Sequence, residues 1–128
     1  MLPLRIVELM QSRRSKAIVI ACLPYLLALV FFYSLAIHMH MALGGWPERI
    51  GTEGFPPALL MHAGIQGAYM SGLLFFTVFV APALLLICLL VPMLRRLAVY
   101  FALQGVGLLV FLGQMYLAPE GYVYWWWD

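Results

Sequence analysis

Charge is what this chain has least of. Asp, Glu, Lys and Arg together make up 9% of its 128 residues, against about 25% in a soluble globular domain. A chain so poor in charge is not a solvated domain. It is not a disordered segment either, because disorder needs low hydrophobicity together with high charge. The formal net charge is +2 and no basic stripe exists, so nothing would neutralise the phosphates of a nucleic acid. Cysteine is also scarce. Cys22 and Cys88 stand far apart and outside any CxxC pair, which excludes a structural zinc site by ligand count. Both read as small buried hydrophobes that stay reduced. No Walker loop, HExxH motif or nucleophile elbow is present, and each of those spacings is what its chemistry requires. An enzyme is the less favoured class.

Apolar residues are what the chain has most of. They make up 66% of the sequence, and the mean hydropathy is +1.00. The fold class expected is an all-α integral membrane protein, with no room for a second, water-soluble domain. Arg13, Arg14 and Lys16 precede a long apolar run, as in a secretory signal. That run, residues 17–37, exceeds the about 7–15 residues of a signal core and lacks a small-x-small cleavage site. An uncleaved first span is the better reading.

Three spans are expected. The first covers residues 17–38 and contains Pro24; neighbouring groups in a membrane re-satisfy the carbonyl that a proline frees. The second covers 58–94. It is long for one span, yet it holds no charge, Asn or Asp that would mark a solvated turn. A single helix with an outer interfacial start and a kink at Pro82 is therefore preferred to a hairpin of two spans. The third covers 97–117 and follows a short turn carrying Arg95 and Arg96, so it runs antiparallel to the second. Residues 1–16 read as an interfacial helix, 39–57 as a Gly- and Pro-rich loop, and 118–128 as an aromatic tail.

The basic residues orient the spans. Six of the seven (Arg5, Arg13, Arg14, Lys16, Arg95 and Arg96) fall at the N-terminus or in the second turn. With three spans those segments share a side, which the positive-inside rule makes the cytoplasm. The loop and the C-terminus are then extracytoplasmic, and a bacterial cytoplasmic membrane is the expected location. Cys22 and Cys88 fall in the cytoplasmic half. Trp46 in the loop and Tyr122, Tyr124, Trp125, Trp126 and Trp127 in the tail read as interfacial anchors, since Trp and Tyr have one apolar end and one that hydrogen-bonds.

The second span carries two tracks of small residues, Ala63–Gly67–Ser71 and Gly64–Ala68–Gly72 in steps of four. Such faces let helices approach closely. On the third span Gln104, Gly107, Phe111 and Gln114 share a face, and amides in hydrocarbon seek partners. The expectation is that the second and third spans pack with these faces together, with Gln66 and Gln114 at similar depth.

All three histidines fall on the loop side. His38 and His40 lie in HMHM with Met41, and His62 follows Met61. His62, Gln66 and Tyr69 share a helical face at i, i+4 and i+7, and Gln114 and Tyr116 reach the same depth. Cofactor binding would centre on His38, His62 and Gln66. A b-type haem would use His38 and His62. Copper would use His38, His40, Met41, Met61 and His62, whose imidazoles and thioethers suit it. A quinone head group would bond His62 or Gln66. An interfacial histidine is more often a solvated or capping group, so no bound cofactor is the first expectation. No Asp, Glu, Lys or Arg lies within any span, which argues against ion pumps, proton-coupled transporters and voltage sensors.

The function expected is contact: an accessory, assembly or stabilising subunit whose partners are the bilayer and a membrane protein or further copies of itself. Trp46, Glu48, Arg49 and Glu53 give the loop an anchor with a polar rim. A haem-, copper- or quinone-linked protein is the alternative.

Overall fold

A computed structural model describes residues 4–128, and every regular element among them is helical. The helices are α1 (Leu4–Leu43), α2 (Pro57–Phe75), α3 (Ala81–Leu90), α4 (Ala98–Gln114) and α5 (Glu120–Trp127). They form three rods long and apolar enough to cross a membrane: Leu4–Leu43, Pro57–Leu90 and Pro92–Leu117. The rods are apolar on the outside as well. Val30, Phe79 and Leu109 are 63%, 63% and 70% exposed, a surface suited to acyl chains rather than water. The bundle has an arginine end, made by the start of α1 and the Pro92–Leu97 turn. At its opposite, loop end lie residues 44–56 and α5.

The expected division between an interfacial segment and a first span does not exist in the described residues. α1 runs unbroken for 40 residues, about 60 Å at the helical rise. Residues 4–23 contain no glycine or proline and many strong helix formers, so nothing interrupts the helix at residue 16. It continues past residue 38 to Leu43, where Gly44 adopts φ +71°. That left-handed position is the usual glycine stop of a helix. Residues 1–3 of the expected segment lie outside the described residues.

α1 is the hub. Its buried residues Tyr25, Ala28, Phe32, Leu35 and Met39 repeat in steps of three and four, the seam spacing of packed helices. Polar side chains of the other helices also end on it. Gln104 of α4 donates to the Ala21 carbonyl at 2.8 Å, and Tyr69 of α2 donates to the Pro24 carbonyl at 2.6 Å. Both bonds fall around the turn where Pro24 supplies no N–H, and side-chain donors there supplement a weakened ladder. Tyr25 bonds Thr77 at 2.5 Å, and Tyr33 donates to Gln114 Oε1.

The second rod is one helix rather than a hairpin. Ahead of Pro82 the turn widens into a π-helical stretch, Phe76–Val80. A proline ring crowds the carbonyl four residues back, and the extra residue in a π turn relieves that crowding. The rod ends at Leu90, not at residue 94. Val91 is extended (φ −99°, ψ 110°), because the ring of Pro92 disfavours helical geometry in the residue before it. A 3-10 turn, Pro92–Leu97, then leads into α4.

One expectation is corrected by the packing and another is extended. α2 and α4 each pack on α1, and the second and third rods meet where α3 packs on α4 toward the arginine end. The small tracks therefore do not join the second rod to the third. Gly64, Ala68, Ser71 and Gly72 face outward, and a Cβ built on Gly64, Gly67 or Gly72 meets nothing within 4 Å. The opposite face, with Leu59, Gln66, Met70, Leu73 and Thr77, is the buried one; it offers α1 more apolar area and more polar partners. Gly107 does serve close packing, but against α1: its Cβ would fall 2.5 Å from Tyr25 Cδ2.

The tail is the one extended. It forms α5 and packs on the loop end of the bundle, so Tyr122 is a core residue as well as a member of the expected anchor. Tyr122 is fully buried and donates to the Phe32 carbonyl at 2.7 Å. Trp46 covers Gly121 so closely that a Cβ there would sit 2.9 Å from the indole. Trp125 and Trp126 are half-buried, while Tyr124 and Trp127 remain exposed. These rings pack on the middle of α1 and on α4, with Phe32 in contact with both Tyr122 and Trp126 and Phe111 beside Trp126.

Candidate functional site

Two polar features of the loop end have chemistry to offer. The first is a chain of side chains between α1 and α2. His38 and His62 meet Nδ1 to Nδ1 at 2.9 Å, and His62 Nε2 lies 3.2 Å from Ser34 Oγ. Ser34 spends its single hydrogen on the Phe31 carbonyl, at 3.1 Å. It must therefore accept from His62 Nε2–H. A neutral His62 then presents a bare Nδ1, and His38 Nδ1–H donates to it. Both tautomers follow from one hydroxyl, and within the pair the lone pair left unused is on His38 Nε2.

This geometry bears on the cofactor expectations. Two imidazoles on opposite sides of one metal ion stand about 4 Å apart. A direct bond of 2.9 Å leaves no gap for a porphyrin, so the pair as arranged is not a haem clamp. The expected copper set is not gathered either. His40 packs its ring on Trp46 with centroids 4.9 Å apart, and Met41 and Met61 point outward, 78% and 67% exposed. Among the described residues no three His, Cys, Asp or Glu side chains cluster.

The second feature is a groove on α2. Gly64, Gly67 and Ser71 line its floor, Trp125 and Trp126 of α5 wall one end, and its volume is about 440 Å³. Gln66 also lines it. This residue is 3% exposed, yet its Nε2 finds no hydrogen-bond partner. A buried amide without a partner costs about 1–3 kcal/mol. Gln66 Nε2 is thus an unpaired donor buried beside the groove; Gln104 Oε1 and Gln114 Nε2 are likewise buried without a partner. The small residues that fail to pack inside the chain are the ones that shape the groove.

His62, Gln66 and Tyr69 do share one face, and that face meets α1 as the periodicity requires. Gln114 lies elsewhere, beside Tyr33, and Tyr116 is 93% exposed, so neither joins the histidines. Sequence reasoning missed Ser34, whose one hydroxyl sets the tautomers; its position four residues before His38 was the available signal. Burial also pushes the phenol of Tyr122 above the ordinary tyrosine range, which marks that residue as structural. Cys22 is half-buried, Cys88 is buried, and both are free thiols.

Comparison of the chain with protein-family models, curated proteins and solved structures returns no match.

Proposed function

We propose that this chain is an accessory, assembly or stabilising subunit that works by contact within a larger membrane complex. The partner's transmembrane helix lies in the α2 groove and offers a hydrogen-bond acceptor to Gln66. The observation that carries the reading is the unpartnered, buried Nε2 of Gln66 in a groove floored by small residues. Small residues allow a second backbone to come close, and an interhelical hydrogen bond adds about 0.6–2 kcal/mol. The positive-inside rule places the arginine end in the cytoplasm and α5 outside, in a bacterial cytoplasmic membrane.

The test is site-specific photocrosslinking in native membranes. A probe replaces Leu60 in the groove or Leu109 on the outer face of α4, and the tagged chain is purified in mild detergent. One defined membrane protein crosslinked from position 60 and not from 109, and present at stoichiometric level, supports the proposal. Equal or absent crosslinking, with the chain purified alone, overturns it. A C-terminal alkaline phosphatase fusion should be active and a C-terminal fluorescent protein dark; the reverse overturns the orientation.

A second reading has one observation in its favour, the free lone pair of His38 Nε2. It would serve as an acceptor for a quinol hydroxyl or as a ligand for copper or haem iron. Its signature is an absorption band or bound metal in the purified chain that disappears in His38→Ala. Colourless, metal-free protein with no quinone response excludes it.

A further inference from the structure

The unbroken start of α1 has a consequence at the arginine end. Arg13 and Arg14 do not sit on a separate surface segment. They lie on the same rigid helix as the first span, one turn before Ile18. The 3-10 turn after Pro92 brings Arg96 to the same place. Arg13, Arg14 and Arg96 line one cavity of about 680 Å³. Tyr100 contributes to it, and Ile18 and Val99 supply an apolar wall. No lining residue is acidic. Three exposed arginines face one space whose lining holds no counter-charge, and an anion placed there lowers their mutual repulsion.

We infer that this cavity binds the headgroup of an anionic glycerophospholipid. A phosphodiester offers two acceptor oxygens that match the fork of a guanidinium. The apolar wall belongs to the membrane-crossing rods, so an acyl chain leaving the phosphate continues along Ile18 and Val99. A free phosphate ion would gain nothing from that wall. A choline headgroup would bring its own cation toward the arginines. Basic pockets between transmembrane helices are a recurring way of holding anionic lipid heads. The inference is independent of the α2 groove, which lies at the opposite end of the bundle.

Native mass spectrometry of the intact chain, released from detergent with phosphatidylglycerol, cardiolipin or phosphatidylcholine, tests it. Retention of one anionic lipid is expected, with phosphatidylcholine lost under the same conditions. Arg96→Gln and Arg14→Gln should each weaken retention about fivefold. Arg96→Lys keeps the charge but loses the fork, so its retention should fall between that of the parent and of Arg96→Gln, and Arg49→Gln at the loop end should change nothing. Equal retention of the charged and zwitterionic lipids overturns the inference. So does an unchanged affinity in folded Arg96→Gln. Displacement of the lipid by millimolar inorganic phosphate overturns it too, in favour of a simple anion site. The headgroup series on the unaltered chain decides the matter even if a variant fails to fold.

Discussion

Replacing Gly107 by alanine should pry α1 from α4. The new Cβ would fall 2.5 Å from Cδ2 and 2.8 Å from Cγ of Tyr25, where ordinary carbon contacts are about 3.5–4.0 Å. One of the two helices must retreat by about 1 Å, because the ring cannot. Tyr25 is 6% exposed, its hydroxyl is bonded to Thr77 at 2.5 Å, and Phe111 packs beside it. Overpacking of this kind costs about 1–3 kcal/mol. Alanine also returns about 1 kcal/mol of helix propensity, which would blur a bare comparison with the parent. Gly105→Ala and Gly113→Ala remove that ambiguity, since both lie on α4 and a Cβ at either meets nothing within 4 Å. The expected result is that Gly107→Ala is less stable than either control by about 1–3 kcal/mol. Unfolding by sodium dodecyl sulfate in mixed micelles, followed by circular dichroism, measures it. Shortening the partner with Tyr25→Leu should erase most of the penalty in a double-mutant cycle. If Gly107→Ala matches Gly105→Ala within about 0.3 kcal/mol, the close approach of α1 and α4 is wrong.

Other expectations follow from single contacts. Gln66→Leu should leave the isolated chain as stable as before or stabilise it by up to about 3 kcal/mol, since it removes an unsatisfied buried amide, while the crosslink from position 60 weakens; a loss of stability in the same micelle titration would show that the amide has a partner within the chain. Tyr122→Phe should cost about 1 kcal/mol at neutral pH by losing the bond to the Phe32 carbonyl. Because burial raises the Tyr122 phenol, its contribution is whole below pH about 10 and is lost as pH rises toward the folded value; stability measured from pH 9 to 11 should fall less steeply in Tyr122→Phe, and parallel profiles would count against the buried phenol. Nitrogen-15 chemical shifts at neutral pH should show His62 protonated on Nε2 and His38 on Nδ1, and Ser34→Ala should release that assignment.

Much of the architecture was legible without coordinates. Hydropathy over about 20 residues marks a span because lipid must cover it and the backbone must bond within it. That is a local property, so the number of spans was readable and the position of the turn at Arg95 and Arg96 nearly so. The i, i+4, i+7 spacing likewise put His62, Gln66 and Tyr69 on one face. The small-residue tracks were legible as close-packing surfaces, but not as surfaces turned away from the rest of the chain. A stripe of Gly, Ala and Ser shows that a helix can be approached and not by what. The answer depended on the opposite face, where Leu59, Met70 and Thr77 find α1.

Helix number and residue composition are decided within each segment, by the free energy of placing about 20 residues in hydrocarbon. Partnership between helices is decided across the whole chain. α1 became the hub because Tyr25, Phe32, Leu35 and Met39 form a continuous seam, and because Tyr69, Thr77, Gln104 and Tyr122 found a carbonyl or hydroxyl there. The aromatic tail follows the same logic. Its composition suited an interface, and only the packed chain shows that Phe32 of α1 also buries Tyr122 and half-buries Trp126. Nor could the sequence reveal that the arginines converge, since Arg13 and Arg96 are brought together by the unbroken start of one helix and a proline turn at the end of another. Distances of that kind are set only when all three rods are packed at once.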